Sequence, residues 1–269
     1  KVYNRFVKGC DGPTFPFTGV GSKPDLSMVA APGALSGFVI YELLKMKDYY
    51  GGNSVVLTSA SSKLSLATAV CLQEARANGS VKKVIGYTSV GNAEFVQSTG
   101  LFDDVLTYDQ NLPSNRDLGF VMIDVAGDAT IFQRNKKQLK KTLAVGGTHS
   151  NAKSSTFTAF GPSGLAKMVS GIMAPKSVAN WVDNKLNPKL EMFFTPSVMA
   201  TLVEKYGKDE FEKMGDASLN KFVTVAIDSD WITVVRGEEP EAVQASYERI
   251  FRGKLPPSEA IILSLANAV

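Results

Sequence analysis

Apolar residues gather in short runs separated by helix-period segments. Val55, Val56 and Leu57 form one such run, and beyond a small polar turn Leu64, Ala67 and Val70 recur at helical spacing. A second run, Lys83 to Ser89, follows after a helix of ordinary length. The stretch Asn92 to Asp109 reads as helix, a stop at Gly100, then strand. A fourth run, Gly119 to Val125, ends in Asp124-Val125-Ala126-Gly127-Asp128, and a fifth, Thr142 to Val145, ends in Gly146-Gly147-Thr148-His149. Strands alternating with helices predict an α/β fold with a doubly wound parallel sheet. Ligands of such sheets bind at the carboxyl ends of the strands, where these small and polar clusters fall.

The pattern outside this core is weaker. Residues 1–30 are rich in Gly, Pro, Phe and Lys and read as irregular; Ala34 to Met46 reads as an amphipathic helix leading into the sheet, too short to span a bilayer. Beyond the fifth run lie a Gly/Ser/Lys-rich stretch, Ser150 to Gly171, and the segment Pro175 to Pro188. A helix from Pro196 to Tyr206, the apolar segments Phe222 to Ile227 and Trp231 to Val235, a helix Pro240 to Phe251 and a strand Ala260 to Leu265 complete the reading. The expected organisation is an irregular segment 1–30, a cofactor-binding domain 31–170, and a region 171–269 whose helices and strands complete the sheet.

Composition excludes several classes. With 269 residues, 44% of them hydrophobic, the chain can bury a substantial core. A net charge of +3 is too small to argue for nucleic acid or an anionic membrane as partner, and neither nucleic acid nor a membrane span is expected. Lys136, Lys137, Lys140 and Lys141 are expected on the solvated face of a helix before the fifth strand, with a phosphate- or partner-binding role as the other reading. Cys10 and Cys71 supply no disulfide framework, and with His149 as the single histidine no metal set is expected. Cys71 falls on the apolar side of its helix and reads as core. A reducing compartment, cytoplasmic or an organellar stroma or matrix, fits this usage. The chain begins with Lys1 and reads as processed or cut.

The candidate chemistry centres on Ser59-Ala60-Ser61-Ser62-Lys63. A strand running through small residues into a helix is a phosphate corner: hydroxyls and amides donate, the helix start is positive, and Lys63 adds a charge. An ordinary serine-capped turn is the other reading. At the end of the second strand, Thr88, Ser89 and Asn92 offer donors, or simply cap the next helix. Tyr108 could face an adenosine or be a half-buried aromatic. Asp124 is expected to fix backbone or ribose hydroxyls, and His149 to orient a carbonyl or donate a proton, or to be structural.

The order of these motifs resembles the medium-chain dehydrogenase/reductase superfamily, in its quinone-reductase-like branch. SASSK, YTSVGNAEFVQSTGLFDDVLTYDQ, DVAGD and VGGTHS are most similar to an uncharacterised family of reductase-like proteins, over roughly residues 30 to 269. The resemblance implies a Rossmann-type fold, a nicotinamide cofactor and a companion GroES-like catalytic domain. Residues 1–30 could be a remnant of that domain or a docking arm, and the tail of the chain would return to it. The glycine-rich superfamily turn, A-S-G-G-V-G, reads Ala60-Ser61-Ser62-Lys63-Leu64-Ser65 here, with three glycines replaced. Glycine permits positive φ and close approach to a pyrophosphate, so these side chains would push the dinucleotide outward or substitute their own donors.

Donors with no carboxylate at Thr88, Ser89 and Asn92 favour NADPH over NADH. The cofactor set would be Ser59, Ala60, Ser61, Ser62, Lys63, Thr88, Ser89, Asn92, Tyr108, Asp124, Gly127, Gly146, Gly147 and Thr148, with His149 as the candidate catalytic residue. Two functions are expected. One is an NADPH-dependent oxidoreductase passing hydride to a quinone, enone or carbonyl, a small-molecule substrate, without metal. The other is a non-catalytic Rossmann-fold module, for interaction or cofactor sensing, within a homo-oligomer or larger assembly.

Overall fold

The computed structural model describes residues 24–115, 117–145, 189–237 and 239–263. Strands β1 (Ser54–Leu57), β2 (Lys83–Thr88), β3 (Asp104–Thr107), β4 (Phe120–Asp124), β5 (Leu139–Ala144) and β6 (Leu190–Met192) form one sheet in the order β3-β2-β1-β4-β5-β6, every neighbour parallel. Val55 lies opposite Val84 on one side and Val121 on the other.

The apolar runs are continuous because the sheet is buried on both faces. Val55, Leu57, Val84, Val121, Ile123 and Leu143 join the core formed with helices α1 (Pro24–Met46) and α2 (Lys63–Ala77). The intervening Val56, Ile85, Tyr87, Phe120, Met122 and Ala144 pack on the other face with Ile131 and Phe132 of α4 (Ala129–Asn135). Short α3 (Ala93–Ser98) links β2 to β3. The doubly wound parallel fold expected from the sequence is the fold observed.

Helix α1 begins ten residues before the expected Ala34. Asp25–Met46, with mean hydropathy 1.4, is long and apolar enough to cross a membrane, which corrects the reading of this segment as too short. Within the fold its Ala30, Ala34, Phe38, Tyr41 and Leu44 are buried, and it packs on α2, α5 (Thr195–Tyr206) and α6 (Lys208–Asp228). A Cβ on Gly33 would lie 3.1 Å from the Leu64 nitrogen, and one on Gly37 2.8 Å from the Thr68 nitrogen. Two glycines four residues apart thus let α1 run parallel to α2 in backbone contact.

Between α1 and β1 the backbone turns left-handed over Asp48 (φ 46), Tyr49 (φ 48), Tyr50 (φ 51) and Gly51 (φ 68). Each non-glycine residue in that conformation costs about 1–2 kcal/mol. Its aromatic side chains fix it: Tyr49 is buried, and Tyr50 donates to Glu191 Oε1 at 3.3 Å beneath the Lys141 ammonium, 5.4 Å from its ring centre.

Other expectations change in the structure. Lys140 and Lys141 belong to β5, with Lys136 and Lys137 in the turn after α4, so the four lysines do not share a helix face. The apolar segment Phe222 to Ile227 is the last part of α6. Strand β6 extends the large sheet, whereas β7 (Thr233–Gly237) and β8 (Glu259–Leu263) pair with each other as a separate parallel sheet, joined by α7 (Pro240–Phe251).

Candidate functional site

The strand order reverses between β1 and β4, the switch point at whose carboxyl ends sheets of this kind bind their ligands in a crevice. Thr58, directly after β1, spans it. Its hydroxyl donates to Asp124 Oδ1 at 2.8 Å and accepts from the amides of Val125 (2.8 Å) and Ala126 (2.9 Å). Asp124 Oδ1 also accepts from the Gly127 amide at 3.1 Å, at a residue whose φ of 72 suits glycine. Asp124 is 1% exposed. Of the two roles expected for it, the structure shows the fixing of backbone.

The corner itself is built from short side chains that bond one another. Ser59 has φ 49 and is the only residue of the turn in the left-handed region. Ser62 is extended, with φ −74 and ψ 147, and Lys63 and Ser65 are helical. The three replaced glycines therefore sit where no positive φ is required; what their side chains remove is open space. Ser62 caps α2, its oxygen accepting from the Ser65 amide at 3.2 Å, and its hydroxyl donates to Ser65 Oγ at 3.1 Å. Ser65 in turn donates to the Thr58 carbonyl at 2.9 Å. The Ala60 amide donates to the Tyr87 carbonyl at 2.9 Å, and the Ala60 methyl rests where a Cβ on Gly86 would stand, 2.9 Å away.

Residues from β2 and β3 close on this turn. The Asn92 amide donates to Ser61 Oγ at 3.1 Å. Tyr108 hydrogen-bonds to Ser59, and burial above all pushes its hydroxyl pKa up. Thr88 is buried and Ser89 exposed. Ser59, Ala60, Ser61, Ser62, Asn92 and Tyr108 thus share one corner, with Asp124 and Gly127 across the crevice.

Lys63 differs from expectation. Its side chain turns toward the small sheet, where Nζ donates to the Glu259 carbonyl at 3.0 Å, and burial lowers its pKa. The α2 start thus presents serines first, with the lysine engaged by β8. Gly146, Gly147, Thr148 and the candidate catalytic His149 lie outside the described residues; β5 reaches toward them, Val145 donating its amide to the Asp124 carbonyl at 2.9 Å. Among the described residues no three His, Cys, Asp or Glu side chains converge on a metal-sized site.

Sequence reading missed Thr58, Ser65 and Gly86. A threonine closing an apolar strand before a serine-rich turn, and a glycine inside a strand, were the available signals.

The chain belongs to the family described as "Protein of unknown function (DUF2855)", whose model matches residues 1–256. No curated protein matches it in sequence. Among solved structures it is similar to CurA in complex with NADPH from Vibrio vulnificus, at 14% identity and TM-score 0.52, over 90% of this chain and 65% of that one. Bacillus subtilis yhfP with NAD bound is similar at 13% identity and TM-score 0.49, over 90% and 64%; the yhdH oxidoreductase from Salmonella enterica in complex with NADP at 12% and 0.45, over 86% and 61%. The chain spans less than two thirds of the length of these structures. At 14% identity the likeness to CurA establishes a shared Rossmann-like fold and nothing finer.

Proposed function

We propose that this chain binds a nicotinamide dinucleotide, NADPH in preference to NADH, and serves as the cofactor-binding part of a medium-chain-type reductase. The observation that carries this reading is the serine corner beside the Thr58–Asp124 bridge at the reversal of the sheet, the location where such folds bind pyrophosphate. The fold shared with CurA, a structure in complex with NADPH, supports it. Between Thr88 and Ala93 there is no carboxylate to repel a 2′-phosphate, and Asn92 is already drawn onto the corner through Ser61.

The chemistry would be hydride delivery to a quinone, enone or carbonyl. The nicotinamide supplies the hydride when bound; the protein's contribution is alignment of the acceptor and donors for the oxyanion that develops. His149, two residues after Gly147 in the sequence, is the residue we assign to orienting the acceptor carbonyl.

A second reading has its own support: a non-catalytic Rossmann module that senses cofactor or joins an assembly. The corner's side chains are engaged internally, Ser61 by Asn92, Ser62 by Ser65 and Lys63 by Glu259. Fluorescence titration with NADPH and NADH, followed by NADPH oxidation by the complete gene product with a panel of quinones and enones, separates the two. Tighter NADPH binding with turnover supports the reductase, and binding without turnover of any acceptor supports the sensor. No binding of either dinucleotide overturns the reductase and the cofactor sensor alike and leaves only the interaction module.

A further inference from the structure

At the opposite, amino-terminal end of the sheet, a groove of about 900 Å³ opens between the starts of β1, β4 and β5. Its lining is polar and basic: Lys137, Lys140 and Lys189 meet there with Asn115 and Gln138, and Asp117 is the one carboxylate lining it among the described residues. The walls are braced from within. Lys189 Nζ donates to the Lys136 carbonyl at 3.0 Å, and the Lys140 chain lies along Gly119, where an added Cβ would stand 3.2 Å from Cε. Asn53 pins the 117–119 loop through the Asp117 carbonyl (2.8 Å) and the Gly119 amide (2.9 Å). Gly51 closes the left-handed turn at the rim, with open space where a side chain would stand.

We propose that this groove is a second ligand site, for a small polyanion carrying at least two phosphate or carboxylate groups. An ammonium donates only, so three of them facing one carboxylate leave a surplus of two positive charges for a ligand to neutralise. Lys137 and Lys140 have no ion-pair partner among the described residues, whereas their neighbour Lys141 is committed to Glu191 at 2.9 Å. The volume suits a small molecule. Because the groove lies at the far end of the strands from the dinucleotide corner, both sites can be filled at once, and this proposal does not depend on the cofactor assignment.

The test is calorimetric titration of the full chain with inorganic pyrophosphate at low ionic strength. Wild type is expected to bind, with Lys137→Glu and Lys140→Glu each weakening binding about tenfold or more, the scale of one charge-assisted bond. Absence of binding to wild type overturns the proposal, as does wild-type affinity in Lys137→Glu. Lys140 packs on Gly119 and its variant could misfold; Lys137 is exposed, so Lys137→Glu alone decides.

Discussion

The Thr58 hydroxyl donates to Asp124 Oδ1 at 2.8 Å, joining the ends of β1 and β4 where the strand order reverses. The same oxygen receives two backbone amides, so one buried side chain fixes both lips of the crevice. Thr58→Val keeps the shape and removes all three bonds. Two amides and a carboxylate would lose a buried partner, and we expect a loss of about 3 kcal/mol in urea unfolding. Thr58→Ser should retain most of the stability; equal losses in both would refute the bridge.

Lys63→Glu tests the lysine in both of its settings. From sequence alone the substitution should weaken NADPH binding and spare stability. In the structure Nζ is held by the Glu259 carbonyl in a half-buried place, where a carboxylate would face an acceptor. The expected outcome is weaker NADPH binding together with a lower melting temperature, while Lys63→Met, which fills the space without charge, melts close to wild type.

Asn92→Asp probes cofactor choice. The carboxylate would stand beside Ser61, near the position proposed for the 2′-phosphate. NADPH affinity should fall about tenfold or more and NADH affinity should hold or rise. Parallel loss for both dinucleotides would locate the 2′-phosphate elsewhere.

Cys71 gives a pH dependence. Burial, partly offset by its bond to Ser218, raises its pKa from 9.0 to about 11. Between those values the unfolded chain has lost the thiol proton that the folded chain keeps, so stability falls as pH rises from 9 toward 11. Below 9 the thiol contributes no slope. Two pKa units correspond to ~3 kcal/mol at most. Unfolding measured across that window should fall less steeply in Cys71→Ala than in wild type, and identical slopes would refute the burial argument.

Much of the sheet could be read in advance because its signals are local. Runs such as Val55–Leu57 and Phe120–Asp124 are apolar at consecutive positions, as strands covered on both faces must be. Their bounds were displaced by a few residues where flanking polar residues join the ladder, as Lys140 and Lys141 do in β5. The site was legible as a composition, small and hydroxyl residues after β1 and β2. Its internal bonding was not: Asn92 reaching Ser61, and Lys63 reaching Glu259, are contacts between residues 31 and 196 positions apart.

The alternation of strand and helix, the two-sided burial of the strands and the serine-rich corner are written locally in the chain, since periodicity and turn chemistry act within a few residues. Tertiary structure decided the rest. It set the strand order that puts Thr58 beside Asp124. It turned Asp48 to Gly51 left-handed, a strain held only because Tyr49 is buried and Tyr50 meets Glu191. It buried a helix apolar enough to cross a membrane, through the contact of Gly33 and Gly37 with α2. Each of these depends on which distant surfaces meet, and no local pattern encodes that.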